Sequence, residues 1–171
     1  HYEQVIRGLE RPPIIIGHSF GGAVAQLLAH RGLGAAVVSL DGAAIRGVRD
    51  LPLSTLKSSA AILRNPLARR KAVPFTYEQF RYAFANTLDE ATAREAYDRY
   101  AIPGSRNVLL TGANANVNPR TPFRVDFQAD RAPLLFIGGG KDHVIPAKVS
   151  RKMAGKYDKA STVTAYKEFP E

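Results

Sequence analysis

The residues best suited to chemistry lie in one short run, Gly17-His18-Ser19-Phe20-Gly21, where a serine has a glycine two positions away on either side. A serine hydroxyl becomes a useful nucleophile only when a base takes its proton and the chain holds it clear of its surroundings. A sharp strand-to-helix turn flanked by small residues meets the second condition, because it holds the serine in strained backbone geometry with Oγ exposed. The spacing alone is a weak signal, and a serine there could merely cap the following helix. Context strengthens it. The β-branched run Ile14-Ile15-Ile16 leads in, and residues 22–30 lead out with Ala23, Val24, Leu27 and Leu28 at helical spacing. Such a turn also aims the N-terminus of the helix, with its free N–H groups and positive dipole end, at the reacting centre. The backbone N–H of Phe20 is therefore the expected oxyanion donor, and one donor of this kind is worth about 3 kcal/mol in the transition state.

The rest of the chain must position that turn. Residues 1–10 read as the end of an amphipathic helix (Val5, Ile6, Leu9) stopped by Arg11-Pro12-Pro13. A buried strand over 35–40 ends at Asp41-Gly42, and another over 133–137 ends in Gly138-Gly139-Gly140-Lys141-Asp142. Pro146 suits the first turn of a helix reaching about Lys156, and residues 161–169, rich in Thr, Val and Tyr, read as a fourth strand. Strands alternating with helices predict an α/β fold with a mostly parallel sheet of about four strands.

Between the second and third strands lie far more residues than the ten or so a simple crossover needs. An inserted helical cap over 51–125 accounts for them, leaving 1–50 and 126–171 as the core. Its clearest helix is predicted over 76–88, with Tyr77, Phe80, Phe84 and Leu88 on one stripe, followed by another over 89–100. The stripe Tyr77, Phe80, Phe84 could line an acyl pocket together with Phe20, although its spacing equally suits packing of the cap onto the body. Residues 112–124 read as a loop, in which turn chemistry explains Asn114, Asn116 and Asn118.

Composition excludes several classes. The 171 residues are 45% hydrophobic and 23% charged, as in ordinary globular domains, and contain no cysteine, which removes disulfides, Cys-ligated zinc and a thiol nucleophile. The net charge of +9 is spread along the chain with one short cluster, Arg69-Arg70-Lys71, read as solvated surface; no nucleic-acid motif accompanies it. No apolar run approaches the roughly 18 residues of a membrane span, and the first residues lack the apolar core of a secretory leader. A cytoplasmic location is the default expectation, and oligomeric state is unconstrained.

Two motifs carry a family resemblance: Ile15-Ile16-Gly17-His18-Ser19-Phe20-Gly21-Gly22 and Gly139-Gly140-Lys141-Asp142-His143-Val144-Ile145-Pro146. Together they resemble bacterial α/β-hydrolases with a helical cap, over essentially the whole chain, and the sheet would be the C-terminal half of such a fold. The resemblance implies a serine hydrolase acting on carboxylic esters or related acyl compounds through an acyl-enzyme on Ser19. Asp142 matches the triad acid. Asp41 is its rival, because some members take the acid from the preceding strand. The triad histidine is expected in a loop after Phe169, past Glu171. His30 lies about 17 Å along the helix from Ser19, His18 should point away from it, His143 adjoins Asp142 and should pack in its own loop, and His1 precedes the serine. The second oxyanion donor is expected from a loop upstream of residue 1, and the chain alone is expected to be inactive. The resemblance calls for no metal or organic cofactor; the implied partner is a small-molecule acyl substrate. Haloperoxidase or lyase chemistry, or ligand binding without catalysis, remain alternatives on the same scaffold.

Overall fold

The computed structural model describes residues 1–170 except 51, 64–71, 106, 108–109, 111–114 and 117. In chain order, helix α1 (Tyr2–Arg7) precedes strand β1 (Ile14–His18), helix α2 (Phe20–His30) and strand β2 (Ala36–Leu40). A long insertion then carries α3 (Leu53–Leu63), β3 (Ala72–Val73), α4 (Tyr77–Phe84), α5 (Glu90–Tyr100) and β4 (Gly104–Ser105). Strand β5 (Leu134–Gly139), helix α6 (Ala147–Lys156) and strand β6 (Thr164–Phe169) follow.

β1, β2, β5 and β6 form one parallel sheet in that order, as the alternation of strands and helices predicts. The register aligns Ile15 with Val37, Val37 with Leu134 and Leu134 with Thr164, so these residues share a face. Helix α2 packs on β1 and β2, and α6 on β5 and β6. The core they enclose includes Val37, Leu134, Phe136, Met153 and Tyr157. One polar side chain docks the two helices. Buried Gln26 on α2 donates to the Gly22 carbonyl and accepts at 3.2 Å from the Tyr157 hydroxyl, just past α6. Burial pushes the Tyr157 phenol well above its ordinary range, so it stays a neutral donor. Ile14 and Ile16, on the other face of β1, are 67% and 69% exposed.

Within the insertion, β3 and β4 pair antiparallel. A capping box starts α4, with the Thr76 hydroxyl accepting from the Gln79 N–H and the Gln79 side chain accepting from the Thr76 N–H. Asp89 caps α5 through the Thr92 N–H. α4 and α5 enclose a small separate core of Phe80, Ala85 and Ala93, flanked by Phe75, Tyr77 and Tyr97. α4 stops at Phe84, four residues short of the end the apolar stripe predicts. Leu88, the last member of the stripe, is 38% exposed, so little apolar burial rewards continuing the helix, and the Asn86 amide is used elsewhere.

Candidate active site

The backbone of Ser19 has φ 55° and ψ −121°, and its side chain makes no capping hydrogen bond. It therefore does not serve as an ordinary helix cap. Crowding shapes the turn. A Cβ on Gly17 would come within 2.0 Å of the Gly21 carbonyl oxygen, and one on Gly22 within 2.6 Å of the Gly42 Cα. A Cβ on Gly21 would meet nothing within 4 Å. The residues with no room for a side chain are thus Gly17 and Gly22, which corrects the symmetrical reading of Gly17 and Gly21. Backbone bonds lace the turn to β2: the Ser19 N–H donates to the Leu40 carbonyl at 3.1 Å, and the Ser19 carbonyl accepts from Ala43 at 2.8 Å.

Ser19 borders a cavity of about 330 Å³ at the carboxyl ends of the strands, where open parallel sheets bind ligands. Asp142 reaches it from the loop after β5, and Asp41 from the end of β2. One Asp142 oxygen, Oδ1, accepts the N–H groups of Val144 at 2.6 Å and Ile145 at 2.9 Å, which fixes the direction of the carboxylate. Asp41 Oδ1 accepts the Gly139 N–H at 2.7 Å and so ties the end of β2 to the strand that leads to Asp142. Burial raises the pKa of Asp41; the Gly139 N–H opposes this, the negative charge of Asp142 adds to it, and His18 acts weakly against it.

The cavity thus gathers Ser19, Asp142 and Phe84 from the expected set, together with Asp41. It does not take in the other aromatic candidates. Phe80 is buried in the insertion's own core, and Tyr77 faces α5, with its ring edge-on to Tyr97 at 5.6 Å and its hydroxyl on Glu90. The Phe20 ring packs against Phe123, 6.1 Å between centroids, although its N–H still belongs to the first turn of α2, where the helix offers no acceptor. His18 also lines the cavity. His30 lies at the far end of α2, accepting from the Asp126 N–H at 3.4 Å, and His143 stacks on Tyr82.

Sequence reasoning missed Asn86, Thr87 and Lys141, which add polar lining to the cavity. Asn86-Thr87 directly after the aromatic stripe was the available signal, since this pair favours a helix end over a helix interior. In the loop before β5, Asn116 bridges the Gly47 N–H and the Val48 carbonyl, and Asn118 Oδ1 accepts from the Arg120 N–H in a turn of the expected kind. Asn114, Arg69, Arg70 and Lys71 lie outside the described residues.

The model of the alpha/beta hydrolase family matches residues 1–166. The chain belongs to the α/β-hydrolase family. Solved structures agree with the α/β-hydrolase fold. A monoacylglycerol lipase from Paleococcus ferrophilus superposes with a TM-score of 0.58 at 17% identity, over 98% of this chain and 62% of its own. Rv0554 from Mycobacterium tuberculosis gives 0.65 at 19%, over 98% and 61%. A bromoperoxidase from Bacillus anthracis gives 0.62 at 19%, over 98% and 63%. The chain therefore spans about three fifths of the length of these α/β-hydrolase structures. No curated protein matches it. Among the described residues, no group of three or more His, Asp or Glu is arranged to hold a metal ion, and no helix is long and apolar enough to cross a membrane.

Proposed function

We propose that the full-length protein is a serine hydrolase that cleaves esters or related acyl compounds through an acyl-enzyme on Ser19. The observation that carries this reading is the backbone of Ser19. A non-glycine residue at φ 55°, lining a cavity it shares with a hydrogen-bonded carboxylate, is costly to hold, and its hydroxyl caps nothing. In this reading a histidine takes the Ser19 proton and Oγ attacks the substrate carbonyl. The oxyanion is met by the Phe20 N–H, the leaving group departs with the proton, and water then releases the acyl group. Asp142 orients the histidine through the oxygen that its loop N–H groups leave free.

We place that histidine after β6. The Gly140 N–H donates to the Phe169 carbonyl at 2.7 Å, so chain leaving β6 emerges beside the acid loop. The insertion acts as the cap, presenting Ala83, Phe84, Asn86 and Thr87 to the cavity. A volume of about 330 Å³ with mixed lining suits a small or medium acyl substrate. The test is labelling of the full-length protein with a fluorophosphonate probe. Stoichiometric labelling that Ser19→Ala abolishes is expected. No labelling, or labelling that survives that substitution, would refute the serine mechanism and favour other chemistry on this scaffold.

A further inference from the structure

The loop that carries Asp142 is held by the insertion as well as by the sheet. Both chain neighbours of Asp142 give their carbonyls to insertion side chains: Lys141 accepts from Asn86 Nδ2 at 2.9 Å, and His143 accepts from Ser58 Oγ at 3.0 Å. The His143 ring adds a third tie, because its Nδ1 lies 2.8 Å from the carbonyl oxygen of Tyr82. A carbonyl oxygen can only accept, so Nδ1 carries the proton and donates. That carbonyl belongs to the last turn of α4, where the helix provides no donor, so the histidine supplies the missing partner. The two rings stack with centroids 4.4 Å apart and planes at 26°, and the Lys57 ammonium lies 4.0 Å from the centre of the Tyr82 ring.

We propose that His143 is a positioning residue through which the insertion sets the place of the Asp142 carboxylate. The proposal rests on Asp142 being the triad acid. Two features direct the effect through Asp142. Asp142 is oriented by the N–H groups of Val144 and Ile145, the two residues that follow His143, so a displaced His143 carries those donors with it. His143 itself does not line the cavity. Misplacing a reacting group by about 1 Å can cost up to about a hundredfold in rate without altering what the pocket binds.

The experiment is a double-substitution cycle on the full-length enzyme with a chromogenic ester. His143→Ala is expected to lower kcat about tenfold with KM changed less than about twofold. His143→Asn, whose amide nitrogen can take the place of ring Nδ1, is expected to recover most of the loss. In an Asp142→Asn background, His143→Ala should cost less than about twofold, because the group it positions is already disabled. Ser58→Ala, which removes only the donor to the His143 carbonyl, enters the same cycle with a smaller factor, so the test does not depend on the alanine variant folding. Equal losses in both backgrounds, or no rescue by asparagine at an unchanged melting temperature, would overturn the proposal. If Asp142→Asn alone leaves kcat intact, the acid assignment itself has failed, which is a distinct result.

Discussion

Replacing Ser19 with glycine should make the protein more stable, and replacing it with alanine should not. The difference follows from the backbone. At φ 55° and ψ −121°, a residue with a Cβ is held in a sparsely populated region, at about 1–3 kcal/mol. Glycine relieves that strain but gives the unfolded chain more freedom, which costs about 0.4–1 kcal/mol. The net expectation is a gain of about 0.5–2 kcal/mol. Alanine keeps the Cβ and loses only a hydroxyl that caps nothing, so its change should stay within about 0.5 kcal/mol of zero. For a domain of about 150–250 residues, each kcal/mol moves the melting temperature by about 2–4 °C. Ser19→Gly should therefore melt several degrees above Ser19→Ala at neutral pH in a thermal scan followed by circular dichroism. Neither variant can form the proposed acyl-enzyme, so activity cannot separate them and stability can. If glycine melts at or below alanine, the turn stores no strain and the central argument for Ser19 is lost.

Two further outcomes follow. Burial, with the charge of Asp142 beside it, raises the pKa of Asp41, so the folded state binds the Asp41 proton more tightly than the unfolded state does. Its favourable contribution is full below the unfolded value of about 3.9 and is lost as pH rises through the folded value. Asp41→Asn, which can still accept from Gly139, should match the wild type in melting temperature at acid pH and exceed it increasingly toward neutrality; a gap that does not widen with pH would refute this. Gly17→Ala should cost about 3 kcal/mol or more, because its methyl would overlap the Gly21 carbonyl at 2.0 Å, whereas Gly21→Ala should be tolerated or mildly stabilising. Equal destabilisation of the two in urea titrations would contradict the geometry.

The sheet was legible because buried parallel strands and the helices between them follow simple rules. A continuous apolar run such as Ile14-Ile15-Ile16, ended by glycine and followed by apolar residues at helical spacing, leaves little choice of local structure. The part of the cavity lined by the insertion was much less legible. The stripe Tyr77, Phe80, Phe84 has the period of an amphipathic helix, but periodicity does not say which neighbour the face meets, and α5 takes most of it. Contacts across long sequence separations were the hardest to read. Asn86 on Lys141 and Ser58 on His143 are 55 and 85 residues apart, and no local pattern encodes either. His18 is a related case: alternation along β1 puts its side chain on the face opposite Gly17, and the residue lines the cavity that lies beyond the strand ends.

Among the described residues, only Ser19 and Asp41 are non-glycine with positive φ, and they follow adjacent parallel strands directly. The two are coupled. The Ser19 N–H donates to the carbonyl of Leu40, the residue before Asp41, and the Ser19 carbonyl accepts from Ala43, two residues after it. The Asp41 N–H donates in turn to Ile137 on β5, and its side chain accepts from Gly139. A single run of bonds thus passes from the serine turn through Asp41 to the strand that presents Asp142. Holding two left-handed residues costs a few kcal/mol by the usual scale, and the packed sheet beneath them, with Phe136 and Val37 fully buried, supplies the rigidity that keeps them there. Strain confined to two strand ends around one cavity, with regular geometry elsewhere in the sheet, is the pattern expected when backbone shape serves a site rather than the fold. A substitution that relaxes Asp41 should then reach Ser19 through the Leu40 carbonyl before it disturbs the core.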